Sequence, residues 1–334
     1  MLEHGGNLQQ ACIDYDRPLE AWLDLSTGIS PYAFPIPPIS PALWQRLPIE
    51  NDALLDTARR YYQQEHLLAV AGSQAAIQAL PHLRPRSRVW VLTPAYAEHA
   101  HAWRQHGHTV TERDHLPEMS ELQNVDVLVV CNPNNPTGRL CPPAQLHAWQ
   151  QALAPGGWLI VDEAFMDATP ENSISAQAAK PGLIVLRSLG KFFGLAGARV
   201  GMVLAAPDLL DQLREWLGPW TLSGPARLIA TAAMADHDWQ HAQRHRLLQN
   251  MAKMQGLLNA ARISPTGSTA LFSYWQDPRA IDLHTHLARH GIWTRLFAQP
   301  SAIRLGLPPP ERWDMLQRAL SDWASKQSPC NNSA

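Results

Sequence analysis

The sequence predicts an α/β protein: a large domain built on a mostly parallel sheet, followed by a smaller α+β domain. Three observations carry this. Near-continuous apolar runs at 125–130, 158–161 and 183–186 have the composition of strands covered on both faces. Helical stretches separate the strands, and such alternation closes into a mostly parallel sheet with helices on both sides. From about residue 221 the pattern changes to long helices and then to short strands mixed with helices. The expected division is an N-terminal strap at 1–50, a large domain at 51–220, a small domain at 221–325 and a tail at 326–334.

Residues 1–50 read as irregular chain, dense in proline from 31 to 48. Proline removes a backbone donor and favours extension, so this is a strap across a surface. Residues 51–65 read as a helix with Leu54, Leu55 and Ala58 on one face and Asn51 or Asp52 as its cap. A strand at 67–71 turns through Gly72-Ser73-Gln74 into a helix at 75–83. A strand at 88–92 is followed by Thr93-Pro94-Ala95-Tyr96 and a helix through Trp103. The strand at 125–130 leads into a loop at 132–138 and a helix at 143–153, and the strand at 158–161 ends at Asp162. Strands at 183–187 and 200–204 flank a loop that carries Lys191. A helical stretch at 225–258 is broken around 236–238. Strands are then expected at 271–275, 292–296 and 302–306, with helices at 281–290 and 311–324 and a frayed tail from Ser325.

Composition sets the class. The chain has 334 residues, 46% of them hydrophobic and 17% charged, enough to bury a large core in two lobes. A net charge of -2 spread along the chain gives no basic surface for nucleic acid. The 15 histidines are scattered; His237, His241 and His245 share a helical face but have no cysteine or carboxylate cluster beside them, so no metal site is expected. Cys12, Cys131, Cys141 and Cys330 form no CxxC pair, the N-terminal residues lack the form of a signal peptide, and no segment has the length to span a bilayer. A cytoplasmic enzyme or binding protein is the expectation.

Four polar features fall at strand ends, where open α/β sheets gather ligands. Gly72-Ser73-Gln74 offers close backbone approach and free N–H groups at a helix start. In Asn132-Pro133-Asn134-Asn135-Pro136-Thr137-Gly138, two X-Pro steps hold a loop that can aim an amide. Asp162 is a carboxylate that is costly to bury unless it meets a cation. The stretch 188–201 holds Lys191 between glycines and aromatics, with Ser188 before it and Arg199 after. An amine, an anion and donors for a phosphate form the set that pyridoxal phosphate requires.

With these motifs the chain resembles the fold type I pyridoxal-phosphate enzymes of the aminotransferase superfamily, over residues 20–325. The resemblance implies a seven-stranded, mostly parallel sheet sandwiched by helices in the large domain. It implies pyridoxal 5'-phosphate as cofactor. Lys191 would take its aldehyde, Asp162 would pair with its ring nitrogen, and Asn135 would donate to its phenolate. Tyr96 would stack on the ring, and Ser73, Gln74, Ser188 and Arg199 would hold its phosphate. Arg304, in Ile303-Arg304-Leu305-Gly306, would meet a substrate carboxylate through a bidentate fork. A homodimer with a small phosphorylated amino acid as substrate is also implied.

Within the superfamily the chain is similar to the histidinol-phosphate aminotransferase branch, and more narrowly to the threonine-phosphate decarboxylases of cobalamin biosynthesis. Two features point to the decarboxylases. One is the opening His4-Gly5-Gly6-Asn7 with Leu23-Asp24-Leu25-Ser26-Thr27-Gly28-Ile29-Ser30-Pro31. The other is Phe165 in Asp162-Glu163-Ala164-Phe165, where the aminotransferases usually carry Tyr. His4, Gly5, Gly6, Gly28 and Ile29 are the expected substrate contacts, the Gly5-Gly6 backbone as an anion nest. Gly28 stands where Asn is common. Leu47 replaces a tyrosine that in relatives reaches the partner subunit's cofactor phosphate, a hydrogen bond that leucine cannot make. The expected reaction is decarboxylation of L-threonine O-3-phosphate. Histidinol-phosphate transamination and a non-catalytic, cofactor-binding regulatory module are the alternatives.

Overall fold

The computed structural model describes residues 5–327, which form two compact units, Ala33–Ala242 and residues 5–32 together with 243–327. This division departs from the expected limits at 50/51 and 220/221. Leu23–Asp24 pairs in parallel with Ile292–Trp293, which ties the first 32 residues to the C-terminal part of the chain. Nor is the N-terminal stretch irregular throughout: Leu8–Asp14 is a helix, and Ala11 packs with Trp22 and Ala288.

In the larger unit a seven-stranded sheet comprises β1 (Leu67–Val70), β2 (Arg88–Leu92), β3 (Thr109–Arg113), β4 (Val127–Cys131), β5 (Trp158–Asp162), β6 (Leu183–Ser188) and β7 (Gly201–Leu204). Their order across the sheet is β1-β7-β6-β5-β4-β2-β3. The neighbours from β6 to β3 run parallel, and β7 is antiparallel to both β6 and β1. The core of this unit explains the strand assignments. Every residue of β4 and β7 is buried, as continuous apolar runs demand. The β3 edge escaped the sequence reading because Thr109-Val110-Thr111-Glu112-Arg113 is mostly exposed and carries charges. Charged side chains on an edge strand deter pairing with another chain.

Several element ends are set by local chemistry. Asp52 caps the helix Ala53–Tyr62 by accepting the Leu54 N–H at 3.0 Å, as expected. The helix Ser73–Ala79 starts earlier than expected and tightens into a 3-10 turn at Leu80–Leu83, where Pro81 denies a donor. The expected break at 236–238 separates Gly224–Ala235 from His237–Ala260. His237, His241 and His245 are exposed along the second of these helices.

The other unit carries a four-stranded antiparallel sheet in the order Arg295–Phe297, Ala302–Gly306, Phe272–Gln276, Gly267–Ser268. The single strand expected at 292–296 is two, Ile292–Trp293 and Arg295–Phe297, which pair with different partners. Helices Ala280–Arg289 and Trp313–Lys326 accompany it. Among the described residues no helix is long and apolar enough to cross a membrane.

Candidate active site

Within the larger unit, one cavity lies where the turn after β1 meets the ends of β4, β5 and β6. Every residue expected to hold the cofactor lines it: Ser73, Gln74, Tyr96, Asn135, Asp162, Ser188, Lys191 and Arg199, with Gly72, Cys131 and Phe165 among their neighbours.

Asp162 is the last residue of β5 and is 6% exposed. One carboxylate oxygen accepts the Ala164 N–H at 3.0 Å. The other lies 2.9 Å from Nε2 of His99, a fully buried contact that the sequence reading missed. Burial alone would discharge His99. Hydrogen bonds to Asp162 and Cys131 outweigh it and hold the imidazole up to about 10, so His99 is an imidazolium at neutral pH. His99 lies three residues past Tyr96, on the helix Glu98–Gln105.

Lys191 sits on the connection from β6 to β7 that the sequence placed between buried strands. The Gly190 N–H donates to Ser188 Oγ at 3.3 Å and the Gly194 N–H to the Lys191 carbonyl at 3.2 Å, so the loop is folded onto itself. Phe192 and Phe193 anchor it. Both are fully buried, and Phe193 stacks on Trp239 with ring centroids 5.7 Å apart. The Lys191 ammonium lies 5.4 Å from the centroid of the Phe165 ring.

Close approach shapes the opposite end of the cavity. Gly72 has φ +71°, and a Cβ there would stand 2.7 Å from Nη2 of Arg199. At Gly201 a Cβ would stand 2.5 Å from the Ser73 nitrogen. Glycine at both positions lets the β1 turn press against β7 and lets Arg199 lie along it. In the loop at 132–138, Asn132 exchanges hydrogen bonds with Cys141, its Nδ2 donating at 3.0 Å and its Oδ1 accepting at 2.7 Å. Asn134 donates to the Pro94 carbonyl at 2.8 Å. These two asparagines brace the loop, and Asn135 faces the cavity.

The Gln74 side chain is engaged by its neighbours. Its Nε2 donates to Glu98 at 2.9 Å, and its Oε1 accepts from the Tyr96 hydroxyl at 3.2 Å.

The residues expected to meet substrate lie in the other unit. Arg304 is 5% exposed, and its guanidinium donates to the Ser26 carbonyl. Burial, with Arg295 adding to it and Asp24 opposing, pulls Arg304 down to about 10. Gly6 donates its N–H to Ser26 Oγ at 2.7 Å. That N–H is therefore directed at Ser26. Gly28 is buried with φ +64°, and the Ile29 N–H approaches Thr27 Oγ1 at 3.4 Å. Ser26 is thus the hub joining Gly6 and Arg304, and it too was missed. Arg295 stands opposite Arg304 in the strand register, placing two cationic side chains side by side. His4 lies outside the described residues.

The donors in the cavity fit pyridoxal 5'-phosphate: an amine for its aldehyde, a buried carboxylate for its pyridine nitrogen, and a hydroxyl–guanidinium cradle that would admit no Cβ at position 72. Set on this sheet, they define a fold type I pyridoxal-phosphate protein.

The chain belongs to the class I and II aminotransferase family, whose model matches residues 45–320. It is 54% identical over 322 residues to the threonine-phosphate decarboxylase of Pseudomonas aeruginosa, covering 96% of this chain and 97% of that one. A threonine-phosphate decarboxylase of a Sinorhizobium species is 39% identical over 330 residues, again across 96% and 97% of the two chains. In three dimensions it is similar to the histidinol-phosphate aminotransferase of Sinorhizobium meliloti solved with pyridoxal 5'-phosphate. That match has a TM-score of 0.82 and 20% identity, covering 98% of this chain and 96% of that one.

Proposed function

We propose that this chain is a pyridoxal-phosphate-dependent carboxy-lyase that converts L-threonine O-3-phosphate to (R)-1-aminopropan-2-yl phosphate and carbon dioxide, a step of cobalamin biosynthesis. The observation that carries this is the 54% identity, spanning nearly the whole of both chains, to a threonine-phosphate decarboxylase. Phe165 beside Lys191 supports it, since the aminotransferase branch usually has a tyrosine there. The structural likeness to a histidinol-phosphate aminotransferase is at 20% identity and speaks for the fold alone.

Pyridoxal 5'-phosphate, when bound, supplies an aldehyde that bonds the substrate amine and a ring that takes up the electron pair released at Cα. The chain does the rest. Lys191 would hold the aldehyde end and supply a proton from Nζ for Cα. Asp162, braced by His99, would face the ring nitrogen. Asn135 would donate to the phenolate oxygen. Ser73, Ser188 and Arg199 would hold the cofactor phosphate, and Tyr96 would pack on the ring. Arg304 takes the substrate carboxylate, with Arg295 as a second cation for a substrate that carries two anionic groups. Which Cα bond breaks is a matter of alignment: decarboxylation requires the Cα–carboxylate bond, and transamination the Cα–H bond, to stand perpendicular to the ring.

The reading extends to a cytoplasmic homodimer. Exposed Trp44, Leu47 and Ile49, beside an apolar groove lined by Leu43, Ala53 and Leu228, support the dimer. The unpaired thiols of Cys12, Cys131 and Cys141 support a reducing compartment.

The test is direct. Purified protein loaded with cofactor should release carbon dioxide from L-threonine O-3-phosphate and leave histidinol phosphate untouched. Transamination of histidinol phosphate without carbon dioxide release from the threonine phosphate overturns the assignment.

A further inference from the structure

Gln74 and Glu98 carry an inference that the cofactor assignment does not contain. Gln74 and Gln78 stand one turn apart on the helix Ser73–Ala79, and both side-chain amides donate to the same Glu98 oxygen, at 2.9 and 3.2 Å. An ionised carboxylate can only accept, so the NH2 end of Gln74 must face Glu98. Its carbonyl end is then turned toward Tyr96, and the Tyr96 hydroxyl must donate to it, at 3.2 Å. One carboxylate thus fixes the direction of the whole chain of hydrogen bonds. Glu98 is not among the residues that line the cavity, whereas Gln74 and Tyr96 are.

We propose that Glu98 and Gln74 are positioning residues that hold the Tyr96 ring at a fixed tilt over the cofactor ring, and that the Gln74 side chain is not a phosphate ligand. This rests on the pyridoxal reading of the cavity. The protonation state of the phenol agrees with it: burial, then the Glu98 and Asp162 carboxylates, push the Tyr96 hydroxyl up to about 12, so it remains a donor throughout the physiological range.

The experiment uses the cofactor-loaded protein without substrate, so its outcome is separate from the decarboxylase assignment. Visible circular dichroism of the bound cofactor reports the angle between the rings, and titration gives the cofactor dissociation constant. Glu98→Ala should change the dichroic band and raise the dissociation constant about three- to tenfold, the value of one or two net hydrogen bonds. Glu98→Gln, which can still accept from Gln74, should restore most of both. Gln74→Leu on top of Tyr96→Phe should add nearly nothing, because the two remove the same interaction. Tyr96→Phe deletes only a hydroxyl and keeps the cycle readable should Glu98→Ala fail to fold. The proposal is overturned if Glu98→Ala leaves band and affinity unchanged, or if the Gln74→Leu and Tyr96→Phe effects multiply in full. A wild-type chain that takes up no pyridoxal 5'-phosphate overturns the proposal and the cofactor reading together.

Discussion

The Nε2 atom of His99 and a carboxylate oxygen of Asp162 meet at 2.9 Å in a fully buried contact at the floor of the cavity. The His99 charge would not be stable there alone, since an isolated buried ion costs several kcal/mol. The contact makes stability pH-dependent. His99 is raised from its ordinary 6.5 to about 10, so the pair's contribution is complete below about 6.5 and is lost as pH climbs through about 10. Urea unfolding of the wild type should weaken steadily across that window, and His99→Asn should flatten the slope. Equal slopes in the two proteins would show that His99 is neutral in the fold.

Replacing Lys191 should separate chemistry from folding. The side chain is half-buried on a loop whose anchors are Phe192 and Phe193, so Lys191→Ala should keep the native circular dichroism while losing turnover altogether. Borohydride reduction of the loaded wild type should fix the cofactor on a single peptide containing Lys191, and the variant should carry no label. Label on another lysine would remove Lys191 from its assigned role.

Much of this site was legible because each element of it leaves a local trace. Asp162 ends an apolar run, Lys191 sits among glycines between two such runs, and Asn135 lies between two prolines. What remained hidden depends on side chains meeting across long sequence separations. His99 looked like one more scattered histidine until the fold set it against Asp162, 63 residues away. Ser26 gave no signal because its importance lies in what Gly6 and Arg304 do to it. Among the strands, the exposed and charged β3 was invisible to an apolar pattern for the same reason that it makes a safe edge. Gln74 was placed in the correct cavity, but its partners were chosen by Glu98, which no local pattern links to it.

The cradle around Arg199 predicts a specific intolerance at position 72. Gly72→Ala would force a side chain into the left-handed region and set its Cβ 2.7 Å from the Arg199 guanidinium. Strain of this kind costs about 1–3 kcal/mol, and Arg199 must also be displaced. Thermal unfolding of the apoprotein should show the first effect, and a weaker affinity for the cofactor the second. A variant with wild-type cofactor affinity would mean that Arg199 does not need the position it occupies here.

Arg187 predicts how firmly the catalytic strand ends are held. It precedes Ser188 on β6, is 2% exposed, and reaches Glu163 and Asp167 at 2.5 Å each; Glu163 directly follows Asp162. Glu163 is further fixed by the Ile174 N–H at 3.0 Å and the Ser173 hydroxyl at 2.5 Å. The guanidinium therefore ties the segment that follows Asp162 to the strand that carries Ser188. Removing it in Arg187→Met would strand two buried carboxylates, a loss of about 3–5 kcal/mol in chemical denaturation. Arg187→Lys keeps the charge but cannot fork to both acids at once, so it should recover part of the stability and less of the cofactor affinity. If Arg187→Met unfolds at the wild-type denaturant midpoint, the cluster does not carry the strand ends, and the geometry of Asp162 and Ser188 must be maintained by the sheet register alone.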